Sequence, residues 1–191
     1  MISFSEEELT AIYLSLKIAF TASIFSMPFA ILFGYIFARK SFFFKKFIIS
    51  VFNLPLVLPP VVTGYLLLVT FGINGPIGSF LLKNFNFTFA FKWTGAALAC
   101  SIMGFPLMVR AIKLAIEMID QKYEHAAMTL GANKVIVFFT ITLPLALPGI
   151  IAGFTLSFAR SLGEFGATIT FVSNIPGETQ TLSAAIYNFL Q

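Results

Sequence analysis

Four stretches without a single Asp, Glu, Lys or Arg, at 18–38, 47–82, 93–109 and 135–159, constrain this chain more than any other feature. A helix needs about 20 apolar residues to cross the hydrocarbon core of a bilayer. Three of the runs reach that length unaided, and 93–109 reaches it if the charged side chains at its ends extend toward the headgroups. The spacing predicts spans at about 12–38, 49–71, 93–115 and 137–159. Only 10% of the 191 residues are charged and 58% are hydrophobic, whereas soluble domains carry about 25% charged residues. No shift in composition marks a soluble module. The expected fold is an all-α integral membrane protein, with 1–191 as one transmembrane domain.

The net charge of +4 does not point to nucleic acid, because the basic residues sort by side of the membrane instead of clustering on one module. Arg39, Lys40, Lys45 and Lys46 lie between the first two spans, and Arg110, Lys113, Lys122 and Lys134 between the last two. The opposite side holds Lys83 and Lys92, with Glu6, Glu7 and Glu8 at the N-terminus. Lys and Arg favour cytoplasmic loops, so the N-terminus is expected outside, in the periplasm of a bacterial inner (plasma) membrane. The acidic start is not a signal-peptide n-region. Cys100 is the only cysteine, which excludes an intrachain disulfide.

Proline and glycine punctuate the spans. Pro55, Pro59 and Pro60 fall within six positions of the second. Each removes a backbone donor and crowds the preceding turn, so this helix must kink or begin late. Such a break either lines a pathway or serves packing alone. The stretch 72–92 reads as an external loop at the interface, anchored by Trp93. The segment 160–191 is too short in its charge-free pieces to cross and reads as re-entrant or interfacial. Within it, Arg160, Ser161 and Glu164 are candidates for a gate or pathway. The competing reading of Arg160 and Glu164 is an i,i+4 ion pair that neutralises both charges at a membrane boundary. Lys17 is expected to snorkel outward from the first span.

The loop at about 117–135 carries the chemistry of partnership. Asp120 suits an N-cap. Ile119, Tyr123, Ala126, Ala127 and Leu130 then recur at helical spacing. Gly131 stands where a left-handed residue would end the helix. A short amphipathic helix between two spans either docks into a partner or lies on lipid headgroups.

Here the residues resemble the permease subunits of binding-protein-dependent ABC importers. Their signature is Glu-Ala-Ala, a Gly four residues after the last Ala, then Ile-x-Leu-Pro. Ala126, Ala127, Gly131, Ile141, Leu143 and Pro144 fall in register, while His125 occupies the usual Glu position with Glu124 just before it. The resemblance implies a MetI-like permease bundle whose loop helix, including Glu124 and His125, couples to a separate ATPase. No G-x-x-x-x-G-K-[ST] loop occurs in the chain, so ATP and magnesium are expected on that partner, with no cofactor and no catalytic or metal-ligating residue here.

Three segments, 54–69, 105–117 and 158–182, resemble the molybdate permeases more closely, and sulfate permeases share chiefly the LGEFGA core at 162–167. That resemblance implies a homodimer with the pathway on its two-fold axis. It also implies a periplasmic or lipid-anchored molybdate-binding protein as the delivering partner. The molybdate permeases normally have one further span after the position of Gln191, so the bundle is expected to lack its last helix here. A sulfate or other oxyanion permease is the alternative within the class, and a secondary transporter or channel the alternative outside it.

Overall fold

The computed structural model describes residues 5–190, and the architecture is all-α. Helix α1 (Glu6–Arg39) begins with a capping box: Ser5 Oγ accepts from Glu8 N, and Ser5 N donates to Glu8 Oε2 at 2.7 Å. Glu6, Glu7 and Glu8 in its first turn complement the positive end of the helix dipole. At 34 residues α1 contains the first expected span and runs about 50 Å at 1.5 Å per residue.

The second expected span, 49–71, does not run as one continuous helix but breaks at its prolines. Helices α2 (Lys45–Val57) and α3 (Pro60–Phe71) lie on either side of the break, bent by 108°. A residue that precedes proline is driven out of the helical region. Leu58 precedes Pro59 and Pro59 precedes Pro60, and both are extended, with ψ of 142° and 134°. Pro60 then opens α3 at a position where its missing N–H costs nothing. At 13 and 12 residues, each helix alone is too short to cross.

The stretch expected as an external loop carries a helix of its own, α4 (Pro76–Phe85), closed by Asn86 in the left-handed region. Helix α5 (Trp93–Met118) matches the third span. Helix α6 (Gln121–Thr129) fills the loop that follows.

The fourth span is bent as well. It comprises α7 (Lys134–Val137), a π-helical turn (Phe138–Thr142), α8 (Leu143–Leu145) and α9 (Leu147–Leu162), with a 66° change of direction before α9. Pro144 offers no N–H to the carbonyl of Thr140, and Leu143 N reaches back five residues to Phe138 O. The C-terminal segment holds two short helices, α10 (Gly166–Val172) and α11 (Leu182–Phe189), neither long enough to cross. Among the described residues, α1 and α5 are long and apolar enough to span a membrane, and each bent pair adds one more span if counted as a unit.

Helices α1, α5 and α9 pack against one another as the core of the bundle. Apolar packing at one end centres on Ile18, Ala22, Ala99, Met103 and Phe171, and at the other on Ala30, Phe37, Met108, Ile112 and Ile116. Helix α9 meets α5 along Gly149, Gly153, Ser157 and Ser161, a small residue every fourth position. At Gly153 an added Cβ would lie 3.1 Å from Met108 O, and at Gly149 it would collide with Ala115 Cβ. Lipid gives helices no hydrophobic reason to associate, so close approach of backbones at small residues holds this seam. Helix α10 rests on α3 in the same way, with Gly64 against the backbone of Ala167.

Gly149→Leu is accordingly expected to lower unfolding free energy by about 1–3 kcal/mol, the ordinary cost of overpacking. Ile151→Leu, on the exposed side of α9, should leave it unchanged. Denaturation of the purified protein in mixed micelles with increasing SDS measures both.

Candidate functional site

Helix α6 is fixed at both ends by its own sequence. Asp120 Oδ1 accepts from Lys122 N at 2.9 Å, satisfying one of the orphan donors of the first turn. At the other end Gly131 N bonds to Met128 O and Ala132 N to Ala127 O, both at 3.1 Å. This pair of bonds is a Schellman closure, and it requires the left-handed backbone that Gly131 adopts at φ +91°. Asn133 restarts the chain by accepting from Ile136 N at 2.9 Å, which caps α7. Nine residues of helix are thus held between two stops and presented between α5 and the bent limb.

The faces of α6 are not arranged as the apolar spacing suggests. Tyr123 and Leu130 are exposed, His125 and Ala126 face outward with them, and Ala127 is half-buried. The one buried residue of the helix is Glu124. Its carboxylate is turned into the bundle, away from the outward face of the helix. There Arg39, the last residue of α1, donates to Glu124 Oε1 from Nε at 3.0 Å and from Nη2 at 2.9 Å. Thr142 Oγ1 donates to the same oxygen at 2.9 Å, and Arg39 Nη2 also donates to Ile119 O at 3.0 Å. Solvent scarcely reaches the pair, the side chains being 8% and 11% exposed.

The second half of the signature meets this node at its variable position. Ile141 and Leu143 are half-buried and Pro144 is exposed, while Thr142 between them is fully buried. Pro144 favours the wide π-helical turn, and Thr142 on that turn reaches Glu124. Arg39 and Thr142 are the residues of this node that the sequence did not disclose. Arg39 reads there as one more positive loop charge, and Thr142 as the variable position of Ile-x-Leu-Pro.

At the opposite pole, Arg160 and Glu164 form the i,i+4 ion pair, with Nη1 to Oε2 at 2.7 Å. Glu164 is buried, and its other oxygen accepts from Ala167 N at 2.9 Å, capping α10. Its role in the structure is thus to join α9 to α10, and Gly166 beside it lies against Pro60, where a Cβ would meet the proline ring at 2.9 Å. Ser161 is buried against α5, its carbonyl facing Cys100 Sγ at 3.7 Å. Of the three prolines, Pro55 lies inside α2 as a half-buried residue, while Pro59 and Pro60 form the break itself. Lys17 is half-buried. Its ammonium sits 4.0 Å from the centre of the Trp93 ring, a cation–π contact at the start of α5.

Comparison with known proteins agrees with this arrangement. The model of a family described as the inner membrane component of binding-protein-dependent transport systems matches residues 30–190. The molybdenum transport system permease protein ModB of Haemophilus influenzae is 58% identical over 184 residues, covering 96% of this chain and 80% of that protein. Its namesake in Escherichia coli is 59% identical over 187 residues, covering 98% and 82%. The sulfate transport system permease protein CysT of Salmonella typhimurium is 38% identical over 177 residues, covering 93% of this chain and 64% of that protein. With the family match spanning the capped loop helix, its buried node and the bent limb after it, the chain belongs to the family of inner membrane components of binding-protein-dependent transport systems.

Proposed function

We propose that this chain is the membrane-spanning permease subunit of an ATP-driven molybdate importer. The observation that carries the substrate is the identity of 58–59% with two molybdenum permeases along nearly the whole chain, against 38% with a sulfate permease. Molybdate and sulfate are both tetrahedral dianions, so likeness along the chain separates them better than any single side chain does.

The capped helix α6 supports the coupling half of the reading. It offers Tyr123, His125, Ala126 and Leu130 on an outward face of nine ordered residues. Ala126 lets a partner surface come close to the helix backbone. A separate ATPase would receive this face and bind ATP and magnesium itself, so that the permease performs no catalysis. Two copies of the permease would line the pathway between them, fed from outside by a molybdate-binding protein. The basic residues near α6 and at the end of α1 support a cytoplasmic position for that pole, and hence a periplasmic N-terminus.

Reconstitution of the full permease chain with its ATPase and binding protein in liposomes tests the reading. Uptake of labelled molybdate should require ATP. Sulfate uptake without molybdate uptake would overturn the substrate, and uptake without ATP would overturn the class.

Gly131→Val gives a sharper test of coupling. No neighbour lies within 4 Å of an added Cβ at this position, so backbone strain is the whole effect. A β-branched residue held at φ +91° costs on the order of 1–2 kcal/mol, enough to open the C-terminal closure of α6. The variant should insert into the membrane normally and lose ATP-driven molybdate uptake. Wild-type uptake would count against α6 as the coupling element.

A further inference from the structure

The node at Glu124 is more elaborate than a loop tether needs. One carboxylate oxygen accepts two bonds from Arg39 and one from Thr142, all between 2.9 and 3.0 Å. The same guanidinium donates to Ile119 O, the carbonyl of the residue that caps α5. Four elements therefore meet at one oxygen and one guanidinium: the end of α1, the end of α5, α6, and the π-helical turn before α9. Among the described residues, every hydrogen bond joining α1 to α6 runs through Arg39 and Glu124.

Chain connectivity alone would leave α6 loosely attached. It is joined to α5 through Ile119 and Asp120, and to α7 through 130–133, and nothing covalent near it reaches α1. Both partners are nearly buried. A charge separated from its partner in such a place is strongly unfavourable, so the pair resists parting when α6 is displaced. Thr142 adds a connection to the limb whose bend leads into α9.

We propose that Arg39, Glu124 and Thr142 form the joint through which displacement of α6 reaches α1, α5 and α9 together. The inference rests on the importer reading, in which an ATPase moves α6. These three are positioning residues, since none of them faces the surface that α6 presents. With the joint intact the helix and three spans move as one body. Without it, α6 swings on its two connecting segments and the spans stay behind.

The test is the amount of molybdate taken up per ATP hydrolysed by the reconstituted complex, with co-purification of the ATPase measured alongside. Glu124→Gln weakens the bonds from Arg39, and Thr142→Val removes one hydroxyl from a side chain of the same shape and leaves the ion pair alone. Both variants should retain the ATPase. Uptake per ATP should fall by about tenfold, within the usual range of coupling between distant sites, and Thr142→Ser should restore it. If Glu124→Gln disturbs insertion, Thr142→Val carries the test. Normal uptake per ATP in Thr142→Val and Glu124→Gln would overturn the joint while leaving the importer intact. Loss of the ATPase in step with uptake would overturn it too, by making Glu124 a docking residue. A wild-type complex without ATP-dependent uptake would overturn the importer reading, and the joint with it.

Discussion

Hydrocarbon gives a backbone N–H or C=O no partner, and each one left alone there costs several kcal/mol. Among the described residues, the two sharp bends within membrane-length segments can be traced to that constraint meeting a proline. At Pro59 and Pro60 the chain leaves the helix altogether for two residues and turns through 108°. At Pro144 it stays helical but widens, with Leu143 N taking Phe138 O across a π-helical turn. The difference lies in spacing. Adjacent prolines force two successive residues extended, whereas Pro144 and Pro148 are separated by a full turn and allow the ladder to resume between them.

Those two breaks lie beside the two buried carboxylates. Near the first, Glu164 caps α10, and α10 in turn packs on α3 through Gly166 against Pro60 and Ala167 against Gly64. Near the second, Thr142 stands on the widened turn and bonds Glu124. Between the two poles lies the seam of small residues from Gly149 to Ser161, which sets α9 close against α5. In the proposed coupling, a shift of α6 that carried the limb before α9 would press on a closely packed helix pair whose far end holds α10 by Glu164.

Much of this was legible in the residues. The charge-free runs gave four membrane-length segments, Asp120 and Gly131 marked the ends of α6, and Arg160 with Glu164 read as an ion pair at the right spacing. What stayed hidden has a common cause. Periodicity places a residue on a helix face but does not say what stands opposite that face. Nothing in the local sequence marks Glu124 as inward-facing. Its inward turn depends on Arg39, 85 positions away, which no local pattern connects to it. The bend angles were equally hidden, since prolines announce that a helix breaks and not where the two halves point. The contact of Lys17 with Trp93 was hidden too, because it joins residues 76 positions apart.

Glu124 and Glu164 invite comparison because the same chemistry serves two mechanical purposes. Each is a buried carboxylate held by an arginine at the end of a long helix, and each has a second donor from a different element. Arg160 and Glu164 are four residues apart, so their pair moves as part of one helix end and its cap. Such a pair stiffens a junction and transmits little that the backbone would not transmit itself. Arg39 and Glu124 share no local backbone, and whatever moves one must drag the other through hydrogen bonds alone. In the proposed joint, a lost hydroxyl at that place would change which parts of the bundle move together, while a substitution of Glu164 would alter chiefly how firmly α10 is seated. The inner pair is the one in which side-chain chemistry, and not chain connectivity, decides the mechanics.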